Sequence, residues 1–160
     1  MSVAFTKEES AETASETQLP DRIISPHPNL VTEDGLKALE RQLDEAREAY
    51  EAAAQIEDVN EKRRQSAIPL RDIRYLTERI RTAQVIAAPA SQDKVAFGSI
   101  VTFSREDGRV QTYRIVGEDE ADPKSGSISF VSPVARSLLG RSVGEAVTSG
   151  DQELEIVAIG

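Results

Sequence analysis

Two carboxylates three residues apart, Asp58 and Glu61, are the side chains of this 160-residue sequence best placed to act outside their own molecule. They lie in Ile56-Glu57-Asp58-Val59-Asn60-Glu61-Lys62, and the apolar pattern on either side of this stretch is mirrored. A carboxylate on a turn surrounded by water can be offered to a partner. The competing reading is that Glu57, Asp58 and Glu61 are simply the solvated end of a helical turn. Other catalytic constellations are missing from the sequence: there is no glycine-rich phosphate loop, no Ser/His/Asp set and no Cys or His cluster for zinc. The single histidine, His27, stands between Pro26 and Pro28 with no second ligand nearby, and is read as having no metal or catalytic role.

The elements that must position the acids follow from periodicity. Leu36, Leu39, Leu43, Ala46, Tyr50 and Ala53 step by three and four residues, the stripe of a helix packing along one partner. Ile73, Leu76, Ile80 and Ala83 repeat the stepping downstream. Pairing outermost with outermost sets Leu36 against Ala83, Leu39 against Ile80, Leu43 against Leu76 and Ala46 against Ile73, which predicts a fold-back between Val59 and Asn60. Tyr50 and Tyr75 are read as residues of this seam. The first helix starts at Thr32, whose hydroxyl can cap free backbone amides while Glu33 and Asp34 face the positive helix end. From there to Asp58, about 26 residues at ~1.5 Å each make an arm of roughly 40 Å. Pro69 predicts a kink in the second helix, or a start near Ser66.

Charge divides along the same lines. Nine acids and three bases lie between Glu33 and Asp58, against three acids and seven bases between Glu61 and Arg81. Such charges flank the seam of an antiparallel pair and select its partner. The whole chain carries 28 acidic and 19 basic residues, net charge -9, which repels nucleic acid and restricts any contact with it to a local patch. No apolar run approaches the ~20 residues that span a bilayer, no signal peptide is recognisable, and there is no cysteine for a disulfide. The expectation is a soluble cytoplasmic protein.

Along the chain, residues 1–31 are expected to be a flexible tail, 32–86 an antiparallel two-helix coiled-coil hairpin, 87–94 a linker, and 95–160 a small α+β domain. In the last of these, Val95 to Phe103 reads as a strand that turns at Glu106-Asp107-Gly108 and returns as Val110 to Val116. An acidic loop, Glu118 to Asp122, is read as solubilising rather than metal-binding. A third strand covers Ile128 to Val131. Ser132-Pro133 opens a short helix that Gly140 stops, and a last strand runs Leu154 to Ile159. The domain is expected to be a twisted antiparallel sheet carrying one short helix.

Thr112-Tyr113-Arg114-Ile115-Val116-Gly117-Glu118-Asp119-Glu120-Ala121-Asp122, followed by Ile128-Ser129-Phe130-Val131-Ser132-Pro133-Val134-Ala135-Arg136-Ser137-Leu138-Leu139-Gly140, resembles the C-terminal domain of the bacterial transcription elongation factors GreA and GreB. Asn29 to Leu36 resembles the entry into that family's coiled coil, and Gln84-Val85-Ile86 its exit. The resemblance implies an FKBP-like fold for residues 95–160. It implies a domain that docks on RNA polymerase, with Ser132, Pro133, Arg136 and Asp119 near the contact, and a hairpin that enters the polymerase's secondary channel. There an Asp and a Glu three positions apart help hold the polymerase's second magnesium ion and stimulate its own cleavage of backtracked RNA. Asp58 and Glu61 match that pair.

Magnesium takes hard oxygen ligands and binds weakly to one or two carboxylates alone, so the pair is a half-site, complete only with the polymerase, and the chain needs no cofactor of its own. Lys62, Arg63 and Arg64 are candidates for contact with RNA or DNA inside that complex. The hairpin closes on itself, so a monomer is expected. The arms are about a heptad shorter than is usual in the family, roughly 10 Å of reach, and bases follow Glu61 where small and acidic residues are usual. The alternative is therefore a regulator of the Gre or Rnk type, which occupies the channel without stimulating cleavage. A prolyl isomerase is suggested by the fold alone, which does not carry function.

Overall fold

The computed structural model of the chain describes residues 19–160; the first eighteen residues of the expected tail lie outside the described residues. The chain divides into two compact units.

The first unit is Leu39–Thr82, with the extended segment that ends at Ser25. Helix α1 spans Glu33–Ala54 and helix α2 spans Val59–Thr82. Leu39, Leu43, Ala53 and Leu76 are buried, as the stepping predicts. Arg79 is buried among them, at 2% exposure, a place that apolar periodicity cannot announce because the residue is charged. Tyr50 is 38% exposed, and the ring of Tyr75 has the Arg22 guanidinium 3.8 Å from its centroid. The fold-back lies at Gln55–Asp58, just before the mirror point between Val59 and Asn60. The shift has a local cause: Asp58 caps α2, so the helix begins at once, and Val59 and Asn60 are its first residues rather than the turn. The helix does not wait for Ser66. It is assigned without a break through Pro69, where the absent amide leaves the carbonyl of Gln65 without its helical donor.

Within residues 19–25, Asp21 and Arg22 have partners on α2. Arg22 pairs with Asp72 at 3.2 Å, and Arg74 donates to Asp21 at 2.8 Å.

The second unit is Pro26–Ala38 with Ala83–Gly160. Strands β1 (Leu30–Val31) and β2 (Gln84–Val85) pair in parallel. Five more strands form one sheet: β3 (Ile100–Arg105), β4 (Val110–Val116), β5 (Ser127–Ser129), β6 (Ala146–Ser149) and β7 (Gln152–Ile159), in the order β5-β4-β3-β7-β6. Three of the pairings are antiparallel, and the fourth, β4 with β5, is parallel. The sheet is therefore mixed where an antiparallel one was expected: the chain between β4 and β5 makes a 3-10 turn at Pro123–Ser125 and returns in the same direction. The strand expected from Val95 starts at Ile100, because Gly98 takes a positive φ of 88° and breaks the extended run. Val95 is buried nonetheless. Strand β6 was not foreseen. Helix α3 spans Pro133–Leu138, and its Ala135 and Leu138 join Val101, Phe103, Ile115 and Leu154 in one core.

Candidate functional site at the hairpin turn

The turn is built from the helix ends. The last turn of α1 closes with Gln55 N donating to Ala52 O and Ile56 N donating to Ala53 O, both at 3.2 Å. Asp58 then caps α2: Glu61 N donates to Asp58 Oδ1 at 2.9 Å. The spacing of the two acids thus has a structural meaning, since a cap accepts from the amide three residues on, and an acid in that first turn faces the positive helix end. Glu61 is half-exposed. Its Oε1 accepts from Gln65 Nε2 at 2.8 Å, and its Oε2 stands 3.5 Å from Arg64 Nε. Glu57, Asp58, Arg63 and Arg64 are exposed, and Lys62 is half-buried. The arrangement brings two carboxylates and a run of bases to the end of the hairpin opposite the one where the chain enters at Leu39 and leaves at Thr82.

Such a pair can lend oxygen donors but cannot make a metal site alone. Among the described residues, no three His, Cys, Asp or Glu gather closely enough to hold an ion. Carboxylate oxygens are hard donors of the kind that magnesium takes.

The remaining sequence-predicted residues belong to the sheet unit. Ser132 Oγ accepts from Ala135 N at 3.3 Å and caps α3, with Pro133 in the first helical position. Pro133 and Arg136 are exposed, and Ser132 and Asp119 are half-buried.

Glu120, read within a solubilising run, has a definite task that spacing did not announce. Its carboxylate accepts from Thr32 Oγ1 at 2.6 Å and from Thr32 N at 3.1 Å, and lies 3.4 Å from Gly117 N. Thr32 Oγ1 in turn accepts from Gly35 N at 3.0 Å, which is the helix cap expected of it. The clasp leaves no room for side chains: a Cβ on Gly35 would fall 2.1 Å from Glu120 Oε2, and one on Gly117 would fall 2.3 Å from the Leu30 carbonyl oxygen. Gly117 stands three residues before Glu120, but Gly35 is far from it in sequence, and only the tertiary contact brings the two glycines to one carboxylate.

No helix among the described residues is long and apolar enough to cross a membrane. Residues 90–160 match the family model described as "Transcription elongation factor, GreA/GreB, C-term". Transcription elongation factor GreA of Alkalilimnicola ehrlichii is 46% identical over 94 residues, 54% of this chain, and the match spans 60% of that protein's own length. Transcription elongation factor GreB of Pasteurella multocida is 37% identical over 135 residues, which cover 74% of this chain and 85% of that one. Among solved structures, GreA factor homolog 1 (Gfh1) of Thermus thermophilus aligns over 84% of this chain and 99% of that one at 23% identity, with a TM-score of 0.39, too loose a fit to bear on function. At this identity, over most of a GreB and with the C-terminal domain model matched over residues 90–160, the chain belongs to the GreA/GreB family of transcription elongation factors.

Proposed function

We propose that the chain binds bacterial RNA polymerase through its sheet unit, inserts the hairpin turn into the secondary channel and promotes cleavage of backtracked transcripts. The observation that carries this reading is the pair Asp58 and Glu61, two carboxylates locked three residues apart by a helix cap on an exposed turn. A magnesium ion bound in the polymerase would supply Lewis-acid activation of water. The task of Asp58 and Glu61 is to add hard oxygen donors to that ion's surroundings, with the cap holding the Asp58 carboxylate in one place. The chain acts as an accessory factor, and the bond is cleaved by the partner. Ser132, Pro133, Arg136 and Asp119 are the proposed polymerase contacts. Lys62, Arg63 and Arg64 meet RNA or DNA only inside the complex, and the factor works in the cytoplasm as a monomer.

A second reading is favoured by the local bonds of Glu61. Its carboxylate already accepts from Gln65 and faces Arg64, contacts that compete with an ion for its oxygens. Left in place, they describe a factor that fills the channel without chemistry. Stalled, backtracked polymerase with magnesium separates the two readings when the natural protein is compared with Asp58→Asn and Glu61→Gln. Asparagine caps a helix about as well as aspartate, so the variant keeps the turn and removes one charge. Stimulated cleavage lost in both variants, with polymerase binding intact, supports the first reading. Binding without cleavage in all three proteins establishes the second.

A further inference from the structure

The hairpin carries an open apolar groove of about 420 Å³ near its turn, and its two helices furnish it unequally. From α1 come Ala49, Ala52 and Ala53, small side chains that leave a hollow. From α2 comes Ile68, a branched side chain that stands 54% exposed beside Pro69. The exposed large apolar side chains of the two helices, Tyr50, Val59, Ile68 and Leu70, all lie in the half nearer the turn, whereas Leu39, Leu43 and Leu76 are buried in the other half. Charge is divided in the same way. Glu48, one turn before Ala52, flanks the groove on α1, and Arg71, three residues after Ile68, flanks it on α2. The two stand at close to the same height along the antiparallel pair. Glu48 is exposed, and Arg71 is half-buried with only a long 3.4 Å contact to its neighbour Asp72.

We infer that this groove is the contact between two copies of the chain, related by a two-fold axis that runs along the hairpin. One helix supplies what the other lacks, large against small and base against acid, so the surface that complements the groove is the hairpin itself. Rotation about that axis lays α1 of one copy on α2 of the other. Ile68 then enters the alanine hollow of the second copy and Arg71 meets the second copy's Glu48, and by symmetry each contact is made twice. An axis running across the hairpin would lay α1 on α1 instead. With nine acids against three bases between Glu33 and Asp58, that arrangement sets like charges face to face. The paired form is four helices thick where the proposed insertion into a channel uses two, so the monomer acts and the dimer stores it. The pairing itself does not depend on that proposal.

Sedimentation velocity of the full-length protein, from roughly 1 µM to roughly 500 µM, tests the inference, and the dimer fraction is expected to rise with concentration. Ile68→Asp drives a charge into the apolar contact and should weaken the association at least about tenfold. Arg71→Glu and Glu48→Arg each set like charges across both contacts and should weaken it by about tenfold. An equimolar mixture of these two variants restores opposite charges in both contacts, and should associate as the natural protein does. A chain that stays monomeric over the whole range overturns the inference, because the groove is then open or filled by something else. A dimer that Ile68→Asp leaves intact overturns it too, as does a mixture that associates no better than its components. Matching circular dichroism spectra show which variants fold, and Ile68→Asp, at an exposed position, decides the question by itself if a charge variant loses helix.

Discussion

Glu120 shows how one side chain can decide a local structure. Part-buried carboxylates that accept several hydrogen bonds leave orphaned donors when removed, at about 1–3 kcal/mol. Glu120→Ala is therefore expected to lower stability by that order, read by chemical denaturation. Gly117→Ala is expected to cost about 2–4 kcal/mol or to prevent folding, because its Cβ meets backbone rather than a flexible side chain. Asp107 offers a test in pH. Its carboxylate accepts from the Arg109 backbone amide and side chain, which hold it below the ordinary carboxylate range. A lowered folded value means that the contribution is present above the ordinary pKa and is lost as pH falls through the folded one. An NMR titration of Asp107 should give a midpoint below that of a peptide of the same turn, and Arg109→Ala should raise it.

At the scale of elements, much was legible. Stepping by three and four gave both helices, Thr32 and Ser132 gave two helix starts, and Glu106-Asp107-Gly108 gave a hairpin turn. What escaped was whatever depends on distant partners. Strand β6 is a short run, Ala146–Ser149, that is completed by β7, and nothing in its own composition demands a sheet. The parallel pairing of β5 follows from the path of the preceding loop. The turn of the coiled coil was placed late because mirror symmetry counts residues, whereas an aspartate cap decides where a helix begins. The acids of the candidate site were visible as types and spacing, but their hydrogen bonds to amide, Gln65 and Arg64 were not. Two substitutions test the elements. Ser132→Ala removes the cap of α3 and should cost about 1 kcal/mol. Pro69→Ala restores an amide in the middle of α2 and should stabilise the hairpin by about 1–3 kcal/mol, measured by thermal unfolding.

At the scale of the molecule, the sheet unit is discontinuous in sequence. The expected boundary at residue 95 leaves out β1, β2 and the Thr32 partner of Glu120, all of which belong to that unit. A fragment of residues 95–160 should therefore melt below the sheet unit of the intact chain, and amide exchange around Gly117 and Glu120 should be faster in the fragment. Equal protection in the two would show that the clasp contributes nothing to the sheet unit.

The early half of that clasp has a consequence during synthesis. Leu30, Val31 and Thr32 leave the ribosome first, yet Gln84 and Glu120 are made only after the entire hairpin has been translated. Closing so long a loop carries an entropic cost that grows slowly with its length, and a hairpin already folded draws the two ends together. Translation order thus makes the helical pair the scaffold on which β1 and β2 can meet, and slowing its formation should leave a nascent chain with β1 unpaired.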